Sequence, residues 1–290
     1  MPPSEFQDKP PTPSGAALDI AHVRAQLSAG RLGLTLHYFE EIGSTNTQAR
    51  ELAERGAAEG EVVIAETQTH GRGRLSRRWE SPPFKNLYLS FILRPRLSPR
   101  HAPQITLAAA VALVETAGSF LPHHPSIKWP NDILVDGKKL AGILTEAACD
   151  TGRVEYVILG IGLNLNYRAD AMPEGLRHRA TSMADLIGSN VSRESVLVRL
   201  IQDLDRCYGE LEESGFEALR PRWEAHFALR GQRVQVEVGG QTVIGLAQGI
   251  DREGALIVED EQGQRRSIVA GDVIPLETDT EIHATRHRYR

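Results

Sequence analysis

The sequence predicts an α+β fold that ends in a small all-β unit. Helix-like and strand-like stretches follow one another without the strict rhythm of a parallel β-α-β sheet. Turn signals at Asp136-Gly137 and Thr151-Gly152 separate apolar runs, the arrangement that antiparallel hairpins need. Beyond Leu229 the pattern changes to short alternating runs broken by glycine turns, which predicts a small β-barrel. With 290 residues, 41% of them hydrophobic, the chain can bury a full core and form more than one domain.

The opening "MPPSEFQDKPPTPSG" has five prolines in its first thirteen residues and little that is apolar, which predicts disorder. A short amphipathic helix follows in "LDIAHVRAQLSAG", starting near Asp19 and stopping at Gly30. In "LTLHYFEEIGSTNTQARELAERG" an alternating strand enters a turn at Gly43, and Ser44 or Thr45 offers an N-cap to a helix ending near Gly56. "EVVIAETQT" and "NLYLSFILRP" read as strands, and the alanine-rich "APQITLAAAVALVETAGSFL" as a helix. The apolar stretches "ILVDGKKLAGILTEAA" and "RVEYVILGIGLNLN" come after "KWPND", and their turn signals at Asp136-Gly137 and Thr151-Gly152 predict antiparallel strands. The stretch from "SRESVLVRLIQDLDRCYGELEESG" through "FEALRPRWEAHF" is helical in pattern. The expected units are a disordered tail plus short helix over 1–32, a main domain over 33–228, the β-rich unit over 229–276, and a frayed polar tail over 277–290.

Composition removes several function classes. A formal net charge of −5 gives no general field for DNA or RNA, so no nucleic-acid partner is expected. No apolar run approaches the roughly 20 residues of a membrane span, and the N-terminus lacks a signal-peptide pattern, so the protein is expected in the cytoplasm and off the membrane. Cys149 and Cys207 stand far apart without C-x-x-C spacing; both are expected to be buried and inert. The ten histidines show no metal spacing, and no Ser-His-Asp order suggests a hydrolase. No metal beyond Mg²⁺ with a nucleotide is expected.

"TQTHGRGRLSRRW" concentrates four arginines and two glycines between two strands. Glycine lets backbone N–H groups approach a ligand and guanidinium forks grip phosphate oxygens, so Arg72, Arg74 and Arg77 are phosphate candidates; a solvated basic loop is the alternative. The run does not match G-x-x-x-x-G-K-S/T, which excludes a P-loop. In "KWPND", Lys128 to Asp132, Pro130 stiffens a turn that either presents Asn131 and Asp132 to a ligand or is an ordinary Asx turn. Asp132 is placed to bind Mg²⁺ or to orient a lysine. Alternation puts Lys138 and Lys139 on opposite strand faces. Gly142, like Gly160 and Gly162 in "LGIGLNLN", either clears room for a ligand or marks a bulge or twist, and Asn164 shares a face with Asn166.

Taken in order, "GSTNTQA", "AETQTHGRGRLSRRW", "KWPNDILVDGKKLAGIL" and "LGIGLNLN" closely resemble the biotin protein ligases (biotin–acetyl-CoA-carboxylase ligases). The resemblance implies a catalytic domain related to class II aminoacyl-tRNA synthetases, followed by a small SH3-like β-barrel. It implies ATP-dependent activation of biotin to biotinyl-5′-AMP and transfer to a lysine of a biotin carboxyl carrier protein, of acetyl-CoA carboxylase or a related carboxylase, with Mg²⁺ accompanying ATP. Carried over by motif, Ser44, Thr45, Asn46, Gln68, Gly71, Arg72, Gly73, Arg74, Lys139, Gly142 and Gly160 meet biotin. Arg72, Arg74, Arg77, Trp79, Lys128, Asn131, Asp132 and Asn164 meet the nucleotide, and Lys139, Arg72 and Asp132 act in catalysis. Two loop positions depart from the usual G-R-G-R-x-G-R-x-W pattern: Ser76 replaces a glycine, and His70 stands where a small residue is common. About thirty residues precede the main domain, which implies a ligase without the DNA-binding repressor domain of some relatives; monomer and homodimer both remain open. A lipoate protein ligase shares the implied fold, but the "STN" turn and "GRGR" loop favour a ureido head group.

Overall fold

In the computed structural model, residues 15–27 and 30–276 are described; the proline-rich opening and the polar C-terminus lie outside the described residues. The chain runs through α1 (Ile20–Gln26), β1 (Leu36–Ile42), α2 (Thr45–Glu54), β2 (Val62–Gln68), β3 (Leu87–Leu93), α3 (Pro103–Phe120), β4 (Ser126–Lys128), β5 (Asp132–Val135), β6 (Lys138–Asp150) and β7 (Arg153–Leu163). It continues with α4 (Glu174–Arg177), α5 (Met183–Ile187), α6 (Arg193–Ser214), α7 (Phe216–Ala225), β8 (Arg233–Val238), β9 (Gln241–Ile250), β10 (Leu256–Asp260), β11 (Arg265–Ile268) and β12 (Asp272–Pro275). No helix among the described residues is long and apolar enough to cross a membrane.

β1 to β7 form one sheet in the order β1-β2-β3-β7-β6-β5-β4. Only β1 and β2 pair in parallel, with α2 as the crossover; the other pairs are antiparallel. Alternation along the strands feeds two cores. Val62, Ile64, Phe91 and Leu93 join the large core with α3 and α6, whereas Val63, Ile92 and Ile158 join Ala49 and Ala53 of α2 on the opposite face. α3 is buried nearly all round because it is wedged among the sheet, α6 and α7.

Register decides what the α2 face carries near the strand ends. Val63 pairs with Ser90, Ser90 with Gly160, and Gly160 with Leu144. The next row runs Tyr88, Gly162, Gly142, Asp132. Two adjacent rows therefore replace bulky side chains with glycine, leaving a shallow trough on the sheet.

Two expectations change. The C-terminal strands form a five-stranded antiparallel sheet in the order β11-β10-β9-β8-β12, without ladder bonds between its edge strands, so it is not a closed barrel. The sheet is nonetheless curled. Residues 269–271 carry the chain from one edge to the other, a reach of about 14 Å, whereas four flat strand spacings would need about 19 Å. Cys207 is buried, and burial pushes its thiol up to about 12, but Cys149 is exposed. Cys149 lies near the end of the β6–β7 hairpin, past a register shift at Ala148/Cys149.

Candidate active site

Buried polar groups gather where β1 hands over to α2. Ser44, Thr45 and Asn46 are each about 95% buried. Ser44 is the residue before the helix, in extended backbone, yet its side chain does not cap it. Gln68, the last residue of β2, supplies the cap instead: its Oε1 accepts from Thr45 N at 2.9 Å and from Thr45 Oγ1 at 3.2 Å, while its Nε2 donates to Ser81 Oγ at 3.1 Å. Ser90 Oγ lies 2.8 Å from Thr45 Oγ1 and 2.7 Å from Asn46 Oδ1, and its single proton serves one at a time. Asn46 Nδ2 donates to Glu146 Oε2 at 2.8 Å. A Cβ on Gly160 would come within 2.0 Å of Asn46 Oδ1, so this glycine is what lets Asn46 lie flat on the sheet.

The Gly-Arg run is a small hairpin closed at its neck by an Arg72–Arg78 bridge and by Trp79 N donating to Gly71 O at 3.0 Å. Leu75 and Ser76 at its tip have φ of 54° and 59°, left-handed backbone that costs a non-glycine residue roughly 1–2 kcal/mol. The glycine-to-serine departure thus falls on a position where glycine would be unstrained. Each of three arginines has a partner. Arg72 pairs with Glu146, and Arg77 pairs with Asp272 at the start of β12. Arg74 donates to Asn131 Oδ1 and to Gly271 O, both at 3.1 Å. Its partners are neutral oxygens, and burial pushes its pKa below the usual guanidinium value despite the pull of Asp272 and Asp132. An open cleft of about 620 Å³ is lined by this loop together with Leu144 and Glu146.

The "KWPND" turn is pinned from behind. Trp129 is buried and its Nε1 donates to Gly254 O of the C-terminal sheet at 3.0 Å. Asn131 Nδ2 donates to Ile143 O at 2.8 Å, which fixes the turn on β6. Lys139 Nζ stands 2.7 Å from Asp132 Oδ1, an ion pair too bent to count as a hydrogen bond, and 5.3 Å from the centre of the Trp79 ring. Lys138 is exposed. The Lys139 backbone is clamped by Arg179 O and Thr181 N at 2.8 and 3.0 Å.

Ser44, Thr45, Asn46 and Gln68 therefore meet at one end of the trough, and Lys139, Asp132, Asn131, Arg74 and Trp79 at the other. The Trp79 indole occupies the glycine row, since a Cβ on Gly162 would come within 2.4 Å of it and one on Gly142 within 2.9 Å. Its Nε1 is buried and has no hydrogen-bond partner among the described residues. Lys128, at the end of β4, contributes charge beside Asp272. Asn164 spends its amide internally, donating to Thr181 O at 3.1 Å and accepting from Asn86 at 3.3 Å. Glu146 was invisible to sequence reasoning. Burial alone would raise its carboxyl, but the Asn46 hydrogen bond and the charges of Arg72 and Arg50 hold it below the ordinary carboxylate range. Only the β6–β7 register, which places it across from Ile158 on the α2 face, would have revealed it.

Comparison with known proteins places this geometry. Residues 38–164 match the Biotin/lipoate A/B protein ligase family, and residues 230–274 match the biotin protein ligase C-terminal domain. The chain is 37% identical over 256 residues to the bifunctional ligase/repressor BirA of Bacillus spizizenii, covering 88% of this chain and 78% of that protein. It is 35% identical over 266 residues to the biotin–acetyl-CoA-carboxylase ligase of Mycobacterium tuberculosis, covering 89% and 96%. The chain belongs to the biotin protein ligase family. Among solved structures, the biotin protein ligase of Aquifex aeolicus in complex with biotin and ATP superposes with a TM-score of 0.73 at 27% identity, covering 84% of this chain and 99% of that one. Family membership makes the protein a ligase enzyme, and the trough lies within the stretch matched by the first family description.

Proposed function

We propose that the chain joins biotin to a lysine of a biotin carboxyl carrier protein in two steps within the trough. A carboxylate is a poor electrophile. In the first step a biotin carboxylate oxygen attacks the α-phosphorus of ATP, forming biotinyl-5′-AMP and releasing pyrophosphate. In the second the neutral lysine amine attacks the acyl carbon, the anhydride C–O bond breaks, AMP leaves, and the amine loses a proton.

Charge accumulates on the α-phosphoryl oxygens in step one and on the carbonyl oxygen in step two, so pre-set cations are what the chemistry needs. Lys139 and Arg74 suit it: Lys139 is held at the trough by a clamped backbone, and Arg74 is half-buried with only neutral oxygens as direct partners. Arg72, tied to Glu146, sets the loop relative to Asn46. Mg²⁺ arrives on the triphosphate as part of the substrate, and Asp132 is the trough carboxylate open to it besides orienting Lys139. At the other end, Ser44, Thr45, Asn46 and Gln68 offer donors and acceptors to a ureido ring, each of whose polar groups would cost about 1–3 kcal/mol if left unpaired.

The observation that carries the reading is this pairing of a buried, neutral, hydrogen-bonding end with a cationic end across two glycine rows. Exchange of labelled pyrophosphate into ATP tests it. Exchange should depend on biotin and resist excess lipoate; exchange supported by lipoate and not by biotin would overturn it.

A further inference from the structure

Besides the trough, the loop touches the turn that leads into β12 and the first residue of that strand. Arg77 pairs with Asp272, and Arg74 donates to Gly271 O at 3.1 Å. That turn is not free to follow the loop. Asp272 pairs in register with Glu237 of β8, and the β9–β10 turn of the C-terminal sheet is itself fixed to the main domain by Trp129 Nε1, in the β4–β5 turn, on Gly254 O and by Gln104 Nε2, in α3, on Arg252 O, both at 3.0 Å. Asp272 is a fixed post and the hairpin tip a swinging arm. The two arginines differ as well: Arg77 is paired directly with Asp272, whereas the hydrogen bonds of Arg74 go to neutral oxygens and Asp272 and Asp132 act on it only at longer range.

We propose that Asp272 is a positioning residue of the ligation reaction: by holding Arg77 it latches the Gly-Arg loop to the C-terminal sheet and retains the biotinyl-5′-AMP beneath it. Arg77 then acts toward Asp272 and not toward a phosphate, and Arg74 is left as the loop's cation for the ligand. The latch deepens the ligase reading and rests on it. Lys128 and Arg74 stand close enough to lower the Asp272 carboxyl further, after burial has raised it and Arg77 lowered it, so the carboxylate stays ionised while the latch is shut.

The test follows the release of labelled biotinyl-5′-AMP from the preformed complex in the full chain. Asp272→Asn and Arg77→Gln should each release it about fivefold faster, close to 1 kcal/mol, the upper range for a partly exposed ion pair. The double exchange Arg77→Asp with Asp272→Arg should return the rate to within about twofold of wild type, which a merely structural loss would not do. Salt should speed release from the wild type and leave Asp272→Asn almost flat, because a partly exposed pair is screened. A charge exchange as leaky as either single variant would overturn the latch, since an arginine that meets phosphate cannot be replaced by aspartate. Normal retention by Asp272→Asn would overturn it too. A wild type that forms no biotinyl-5′-AMP would overturn the ligase reading itself, and the latch with it.

Discussion

Single residues set the electrostatics of the trough. Lys139 stands within 2.7 Å of Asp132, while its neighbour Lys138 is exposed. Lys139→Ala should lower biotin-dependent pyrophosphate exchange by about 100- to 1000-fold, the cost of losing one preorganised charge, with circular dichroism unchanged. Lys138→Ala should stay within about twofold; the reverse ranking would reassign the cation. Alternation along the strand made that choice between the two lysines legible as a question, but not its answer. Glu146 governs acid stability. Its carboxyl is held below its ordinary 4.5, so its pairing contributes stability in full above that value and loses it as pH falls through the depressed one. Wild type should therefore lead Glu146→Gln in urea midpoint at about pH 6, and the lead should shrink as pH falls below about 4.5. A lead that holds constant across that range would show that Asn46, Arg72 and Arg50 do not hold the carboxylate.

At the scale of elements, the trough depends on what fills its glycine rows. The sequence left Gly142, Gly160 and Gly162 as either room for a ligand or a bulge or twist, and their neighbours are this chain's own Asn46, Trp79 and Lys139. That could not be read locally, because Asn46 meets Ser90 and Glu146 across 44 and 100 positions of sequence. Gly160→Ala should push Asn46 off the sheet and raise the KM for biotin at least tenfold with a smaller change in the KM for ATP. Equal rises for both substrates would mean that the sheet itself had shifted. The loop behaves otherwise. Its glycines and arginines suggested a strand of charge waiting for an anion, whereas Arg72 and Arg77 already hold carboxylates and Arg74 holds neutral oxygens. Arg74→Gly removes the cation without touching the biotin end. Release of the adenylate should quicken and unrelated proteins should become biotinylated, as mass spectrometry of bystander lysines would detect; lost biotin affinity with retained selectivity would move Arg74 to the biotin pocket.

Across the whole molecule, several described residues before β1 belong to the core. Leu18, Val23 and Leu27 pack into the large apolar cluster. Glu66, fully buried on β2, accepts from Leu18 N at 2.7 Å, from Tyr38 Oη at 2.9 Å and from both terminal nitrogens of Arg193 at 2.5 and 3.1 Å, and Arg193 in turn donates to Ala16 O at 2.7 Å. The amphipathic pattern marked the short helix after Asp19, where α1 begins, but not what its apolar face meets, because its burial depends on α6, far along the chain. Arg193→Met should cost about 3–5 kcal/mol in thermal or urea unfolding, since it strands a buried carboxylate. A cost below about 1 kcal/mol would mean that water reaches Glu66. The curl of the C-terminal sheet was legible from its glycine spacing, and the open edge between β11 and β12 was not, because pairing depends on which edge the turn at 269–271 reaches. All of these parts serve one claim, that the chain makes a biotinyl adenylate and keeps it until a lysine arrives. Isotope trapping tests that most directly: enzyme loaded with labelled biotin and ATP is mixed with a carrier domain and a large excess of unlabelled biotin. Label recovered mainly on the carrier lysine is the predicted result, and label lost to the unlabelled pool before transfer would contradict the account.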